Sequence, residues 1–273
     1  MATTSQTAPP KPLMFVKREQ DHKWIGNYLK KKHLALTHFI GKPETTSLFY
    51  ATEDFAALID NIRAIDPDGG VKIYFTTYCH TGLAAVDAIA YQGGMDLLTL
   101  VFAATDEGRN DTGEYFLIKP LGGILDLPKP IAKTMIQAYQ SRKMPFLTTI
   151  IKDAGVPNFR ETKSFWYPLV DFYGDNGIIQ EMDRQGAAGI TAFIGSYGEK
   201  DTVGVARMDV SWQMNIVFEL VKAVQHEGST FYYHFDLENT PDWGDRPDAP
   251  RPNIRFQGAD TGNPCPPAVC GGG

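Results

Sequence analysis

The sequence predicts an α+β protein made of two tandem, diverged repeats, each with about two helices and a small, mainly antiparallel sheet. Three observations support this prediction. The stretch from Thr46 to Tyr78 has a looser second copy from Lys163 to Tyr197, flanking segments recur in the same order, and both copies combine helical with alternating apolar patterns. Because internal repeats outrank local patterns in assigning a fold, tandem duplication explains the sequence better than chance similarity does.

The two copies align residue by residue. The matched positions include Tyr28 with Tyr139, Lys32 with Lys143, Ser47 with Ser164, Phe49 with Trp166, Tyr50 with Tyr167, Asp54 with Asp171, Phe55 with Phe172, Ile62 with Ile179, Gly70 with Gly189 and Val71 with Ile190. Downstream, LTLVFAATDEGRNDTGEYFLI resembles MNIVFELVKAVQHEGSTFYYHF. What is repeated is mostly what folding requires, so a function specific to this protein is expected where the copies differ.

The composition along the chain predicts five parts. Residues 1–18 are polar and Pro-rich, which is typical of a disordered leader. Repeat 1 covers residues 19–120, and repeat 2 covers residues 131–238. Between them, residues 121–130 form a linker rich in Gly and Pro. Residues 239–273 form a Pro- and Gly-rich C-terminal arm.

In repeat 1, a helix is predicted to begin at Asp21 and to end near Gly41, where glycine permits a terminating conformation. Its apolar stripe is Trp24, Ile25, Tyr28 and Leu29. The run Lys30–Lys32 lies opposite this stripe and is predicted to be a solvated face.

The stretch from Thr46 to Tyr78 predicts a second helix followed by a strand. Thr52 is placed to cap the helix, which buries the stripe Phe55, Leu58, Ile59 and Ile62. After a glycine turn, VKIYFTTY alternates as a strand does. Residues 79–94 have no counterpart in repeat 2 and are interpreted as an insertion or long loop. LLTLVFAAT and EYFLIKP then form two strands joined by a polar loop.

Repeat 2 is predicted to open with a helix over 132–142 that turns Met135, Ile136 and Tyr139 inward. Gly174 and Gly177 each cost about 1 kcal/mol in a helix interior, so the stretch 168–182 is expected to break into a turn and a shorter helix. Strands are predicted at ITAFI, MNIVFELV and FYYHF. A long helix over 211–225 is the alternative for the middle strand.

Composition restricts the classes of function. The net charge is -6 and the pI is about 5.5, which gives no electrostatic reason to expect DNA or RNA as a partner. No apolar run approaches the roughly 20 residues of a membrane-spanning helix, and the N-terminus lacks the pattern of a secretory signal. With only three cysteines, a disulfide-built secreted domain is not expected. A cytoplasmic location is therefore predicted.

The sequence contains weak candidates for chemistry and no cofactor signature. Cys265 and Cys270 have spacing that suits one side of a zinc site or a small disulfide loop, but a zinc site needs four ligands and the reduced tail is the preferred interpretation. Cys79 beside His80 suggests a thiolate nucleophile, although adjacent strand residues point to opposite faces. No catalytic residue is assigned.

Aromatic pairs stand at the start of each copy and are candidates for an interaction surface. They are Phe49 with Tyr50 and Trp166 with Tyr167. Large aromatic side chains suit a core, packing between the repeats or an interface with another protein.

The repeat pattern and the ending GNPCPPAVC resemble a group of short uncharacterised bacterial proteins. Those proteins look like a single copy of this unit and end in P-C-P-P-x-C. This chain departs from them by having two copies and one extra residue in the ending. The resemblance implies the fold of each unit and no activity, so it assigns no functional residue.

These observations favour a non-enzymatic interaction or assembly protein that binds a protein partner or itself. Tandem aromatic-rich sheets, strand edges and a stiff Pro-rich arm suit pairing with another chain. One alternative is an enzyme or small-molecule binder with a cleft between the repeats, using Cys79, His80 and the carboxylates after Tyr233. Another is metal or redox sensing through Cys265 and Cys270.

Overall fold

The computed structural model describes residues 18–174, 177–199, 201–203, 208–226, 229–234 and 263–264. These residues form helices and antiparallel sheets, which confirms the predicted α+β class. The helices are α1 (Arg18–Tyr28), α2 (Leu34–Ile40), α3 (Thr52–Ile65), α4 (Ala84–Ile89), α5 (Lys129–Ala138), α6 (Met144–Asp153), α7 (Val170–Tyr173) and α8 (Ile178–Gln185).

The first helical arm consists of α1, a π-helical turn (Leu29–His33) and α2. It ends at Gly41, whose φ of 73° terminates the helix as predicted. The prediction of a solvated lysine face is wrong for Lys32, which is fully buried. Lys32 follows Tyr28 by four residues, so both side chains point to the inward side of the helical arm.

The helix α3 carries the predicted apolar stripe, and Phe55, Leu58, Ile59 and Ile62 are all buried. The prediction that Thr52 caps it is wrong, because Ala51 occupies the N-cap position. The hydroxyl of Thr52 instead donates a hydrogen bond to the carbonyl of Ala187, at 2.7 Å. This threonine therefore ties α3 to repeat 2.

Several predictions for residues 131–238 are confirmed. The broken helix is confirmed, since α7 and α8 are separate. Met135, Ile136 and Tyr139 are buried as expected. The strands are β1 (Ser47–Ala51), β2 (Gly70–Thr77), β3 (Leu98–Thr105), β4 (Asp111–Ile118), β5 (Ile124–Leu127), β6 (Ser164–Pro168), β7 (Gly189–Ser196), β8 (Thr202–Val203), β9 (Met208–Asp209), β10 (Met214–His226), β11 (Ser229–His234) and β12 (Asn263–Pro264). The strand prediction for MNIVFELV is confirmed by β10.

Two segments contain more regular structure than the sequence predicted. Residues 79–94 are not a long loop, because α4 and an irregular helical turn through Gly94 occupy most of them. Val86 and Ala90 anchor this helix in a core cluster with Tyr74 and Val101. The segment 121–130 contains β5, which pairs with β4, and the start of α5.

The strands form two larger sheets that exchange strands between the repeats. One sheet has the order β12-β6-β2-β3-β4-β5, and the other has the order β1-β7-β10-β11. β8 and β9 pair separately. The strand β6 of repeat 2 pairs with β2 of repeat 1, and β1 of repeat 1 pairs with β7 of repeat 2. The prediction of one small sheet per repeat did not include this exchange.

The core is shared between the repeats. α3 contacts strands of both larger sheets, and its Phe55 ring lies 6.2 Å from that of Phe172 and 6.1 Å from that of Phe218. The helical arms also cross, since α1 packs on β7 and α5 packs on β2. None of the described helices has the length and apolar character needed to cross a membrane.

Candidate interaction interface

The two exchanged strands pair in equivalent registers. Tyr50 in β1 lies opposite Ile190 in β7, and Tyr167 in β6 lies opposite Val71 in β2. In the alignment of the copies, Tyr50 matches Tyr167 and Val71 matches Ile190. The two pairings therefore join positions that the predicted alignment matches, with the roles of residues 19–120 and 131–238 reversed.

The exposed members of the predicted aromatic pairs each cover a glycine on the neighbouring strand. A Cβ atom on Gly70 would lie 2.5 Å from Nε1 of Trp166, and one on Gly189 would lie 2.5 Å from the ring of Phe49. Only glycine leaves room for an aromatic ring at this distance across the strands. Phe49 keeps 44% of its surface exposed.

The other members, Tyr50 and Tyr167, belong to the core. Both are buried, and their rings contact Phe102 and Phe218 respectively. The structure thus places all four predicted interaction residues on the exchanged strands, where they hold the repeats together. Only Phe49 and Trp166 retain surface that a further partner can reach.

A buried ion pair, which the sequence did not predict, crosses between the repeats. Lys32 on the first helical arm donates a hydrogen bond to Oε2 of Glu161, and neither side chain is exposed. The other oxygen of Glu161 accepts hydrogen bonds from the backbone N–H of Thr162 at 2.9 Å and of Met214 at 2.7 Å. The Glu161 carboxylate therefore links the first helical arm, the segment that precedes β6 and the start of β10.

A second ion pair repeats this arrangement with the repeats reversed. Lys143 lies in the π-helical turn between α5 and α6 and donates to Oε2 of Glu44. Oε1 of Glu44 accepts from the backbone N–H of Thr45 and of Leu98, both at 2.8 Å. Each π-helical turn thus presents a lysine to the opposite repeat, in keeping with the placement of such turns at functional positions.

Two tyrosines complete the arrays. The hydroxyl of Tyr28 donates to the carbonyl of Thr45 at 2.9 Å, and that of Tyr139 donates to the carbonyl of Thr162 at 3.1 Å. Burial raises the pKa of both phenols well above the ordinary value, and nearby glutamate charges add to the effect. Both hydroxyls therefore remain protonated donors.

Burial shifts the pKa of the two lysines in the opposite direction. Burial lowers the pKa of Lys32 and of Lys143, and their glutamate partners oppose that shift. Because the described groups lie away from solvent and are satisfied by one another, the arrays suit the specification of one relative register of the repeats better than chemistry on a ligand.

A partly exposed polar cluster surrounds Asp111 on the larger sheet. Its carboxylate accepts hydrogen bonds from Lys72 at 3.0 Å, Tyr74 at 2.8 Å and Tyr115 at 2.8 Å. Lys133 lies 3.7 Å away. Burial acts to raise the pKa of Asp111, but the Lys72 charge and the hydroxyl donors outweigh it and hold that pKa below the ordinary value. The cluster joins β2, β4 and α5.

The outer edge of β6 receives a segment of the C-terminal arm. β12 pairs with it in antiparallel fashion, with Asn263 opposite Trp166 and Pro264 opposite Phe165. The Trp166 ring is held by a hydrogen bond from its Nε1 to the Thr105 hydroxyl at 2.9 Å, and the Arg109 guanidinium lies 4.2 Å from the ring centre. An extended segment of the same chain therefore occupies this edge beside the Trp166 ring.

Of the candidates for chemistry, Cys79 and His80 lie within the described residues. Burial raises the pKa of the Cys79 thiol, and the charges of Asp87 and Asp96 raise it further, which opposes a thiolate nucleophile. The His80 ring packs against Tyr91 in a tilted arrangement, with ring centroids 4.7 Å apart and an interplanar angle of 53°. The carboxylates after Tyr233 lie outside the described residues.

Cys265 and Cys270 also lie outside the described residues. Within those residues, no group of three or more His, Cys, Asp or Glu side chains is arranged to hold a metal ion.

Comparisons with protein-family models, with curated proteins and with solved structures found no match to this chain. The fold and its interfaces therefore define an α+β protein with strand-exchanged halves.

Proposed function

We propose that this protein is a non-enzymatic assembly protein that binds an extended segment of another polypeptide, or of a second copy, by strand addition at the outer edge of β6. The observation that supports this is the pairing of β12 with β6, in which the edge accepts a Pro-containing segment. Main-chain hydrogen bonds to a sheet edge give affinity to such complexes, and neighbouring side chains give specificity.

Backbone geometry limits the length of this edge. The carbonyl of Lys163 and the N–H of Leu169 bond towards β2, so the backbone groups of the alternating residues 164, 166 and 168 face outward. Pro168 has no N–H to offer, which ends the edge next to Trp166. A short extended segment fits this edge better than a long strand.

The chemistry of the arm supports an extended occupant. Its sequence GNPCPPAVC is rich in proline, which restricts the unbound segment to extended conformations and reduces the entropy lost on binding. The aromatic Trp166 beside the edge offers a contact surface of the kind that Pro-rich segments recognise. The cytoplasmic location stays a prediction, which cell fractionation tests.

A peptide titration tests the proposal. A chain that ends at Gly258 lacks β12 and should bind a labelled peptide of residues 260–269 saturably, whereas the full chain should bind it at least tenfold more weakly because its own arm competes. A scrambled peptide serves as the peptide control. Light scattering and native mass spectrometry of the full chain then report whether two molecules associate by exchanging their C-terminal arms.

The alignment provides a matched pair of variants. Trp166→Ala and Phe49→Ala each remove an aromatic ring that covers a glycine, so both should weaken folding. Trp166→Ala should weaken it more, because it also removes the hydrogen bond to Thr105. Only Trp166→Ala should reduce peptide binding. Equal peptide affinities in the two variants, or a shortened chain that does not bind the peptide, would contradict strand addition at β6.

A further inference from the structure

We infer that the interface between residues 18–121 and 122–234 is a self-contained docking surface whose partner is the complementary half of a second copy of this chain. The inference is independent of peptide binding at β6. It concerns the exchanged strands β1 and β6, the two buried ion pairs and the glycines that the aromatic rings cover. It requires no assumption about common ancestry.

Two ion pairs and two strand pairings of this interface occur with the halves reversed, whereas the pairing of β4 with β5 crosses it once. Lys32 meets Glu161 as Lys143 meets Glu44, and β1 joins β7 as β6 joins β2. An interface in which each partner offers the same elements to the other is self-complementary, as in a two-fold symmetric dimer. The surface of one half is therefore specified for a polypeptide with the pattern of the other.

Each half is incomplete without its partner. Separation would remove the neighbouring strand from β2 and from β7, and would expose the apolar face of α3. It would also remove the counter-charges of Lys32 and Glu44, which are buried in the assembled chain. These losses favour reassociation of complementary halves over independent folding.

The covalent connection between the halves runs through an exposed turn. Leu121 lies in the turn between β4 and β5 with 96% of its surface exposed, and Gly122 and Gly123 have positive φ values of 89° and 81°. Exposed loop tips of this kind accept insertions and cleavage. The connection can therefore be cut in the folded protein without removal of an interface residue.

A cleavage and exchange experiment tests the inference on the full chain. A site-specific protease sequence is inserted after Leu121, and the folded protein is cut. We expect native mass spectrometry to detect the two fragments as a 1:1 complex. Isotopically heavy and light complexes, mixed in urea and diluted, should yield heavy–light pairs at their statistical frequency. Fragments that separate on cleavage or fail to reassemble would overturn the inference.

Charge matching tests which contacts give the docking its specificity. A cleaved Lys32→Met protein is mixed with a cleaved Glu161→Gln protein. After exchange, the neutral halves should pair with each other and the charged halves with each other, in at least tenfold excess over mismatched pairs, because a mismatch buries an unpaired charge. Lys30→Met changes an exposed lysine and should pair without preference. Random pairing of the Lys32 and Glu161 variants would refute a role of this ion pair in specificity.

Discussion

Lys32 donates a hydrogen bond to Glu161 across 129 positions of the sequence, and both side chains are shielded from solvent. The same contact recurs between Lys143 and Glu44. A buried ion pair adds little to the free energy of unfolding compared with a well-packed apolar pair. Removal of one partner is nevertheless costly, because the other charge stays buried without a counter-charge. Single and double substitutions should therefore differ sharply.

Lys32→Met should lower the free energy of unfolding by about 3 to 5 kcal/mol, because the carboxylate of Glu161 would remain buried without its cation. The double variant Lys32→Met with Glu161→Gln should recover most of this loss, since a glutamine oxygen can still accept the backbone N–H groups of Thr162 and Met214. Urea unfolding of the four proteins in the cycle measures the coupling.

Lys30→Met is the matched control for this cycle. Lys30 is exposed, so its replacement should change stability by less than about 0.5 kcal/mol. A loss in Lys32→Met no larger than in Lys30→Met, or additive effects of the two core substitutions, would show that the pair does not couple the repeats.

Gly70→Ala and Gly189→Ala should each lower the free energy of unfolding by about 1 to 3 kcal/mol, as overpacking does. The added methyl would meet Trp166 or Phe49 at 2.5 Å. It would also lie 2.6 Å from the carbonyl oxygen of Tyr167 at Gly70 and 2.5 Å from that of Tyr50 at Gly189. Because both glycines face an exchanged strand, the loss should appear in the global unfolding transition measured by circular dichroism.

Gly26→Ala provides the opposite control. Gly26 lies inside α1, and a Cβ atom there would have no neighbour within 4 Å. The substitution should stabilise the protein by about 0.5 to 1 kcal/mol, since alanine favours the helix. Equal losses at all three glycines would mean that close approach of the aromatic rings is not the cause.

The sequence was sufficient for most elements because their signals are local. The stripe Phe55 to Ile62 predicted α3, and the pair Gly174 and Gly177 predicted the break between α7 and α8. The helix in 79–94 was missed because a comparison with repeat 2, which lacks this segment, favoured a loop. Local periodicity in AAVDAIA was the better signal.

The interface could not be predicted from local patterns. Strand exchange depends on which partner each strand meets, and an apolar strand suits either sheet. The burial of Lys32 was missed because a run of three lysines is typical of a solvated face. The available signal was its alignment with Lys143, together with the alignment of Glu44 with Glu161. Each lysine pairs with the glutamate of the other segment.

Asp171→Asn should stabilise the protein at neutral pH. Burial raises the pKa of Asp171 from 3.8 to about 6, so the folded chain binds more protons than the unfolded chain between these pH values. The stability associated with the protonated carboxyl is present below pH 3.8 and is lost as the pH rises through about 6. Asparagine stays neutral, so the variant should gain stability at pH 7 and none at pH 3.

Asp54→Asn is the matched control, because Asp54 is aligned with Asp171 but accepts a hydrogen bond from the backbone N–H of Gly123 at 2.8 Å. Its replacement should weaken this contact and should not stabilise the protein at pH 7. Unfolding curves across pH 3 to 8 compare the two. A gain that is the same at pH 3 and pH 7 would show that titration of Asp171 is not responsible.

Asp111→Asn should lower the free energy of unfolding by roughly 3 kcal/mol at pH 7, because Lys72 is almost completely buried and would lose its counter-charge. The pKa of Asp111 is held below its ordinary value, so its stabilisation is full above pH 3.8 and declines as the pH falls through the lower folded pKa. The difference between variant and wild type should therefore shrink in acid. Lys133→Met removes a more exposed cation at 3.7 Å and should cost less than about 1 kcal/mol. Equal losses in the two variants would mean that the buried contact with Lys72 does not stabilise the sheet.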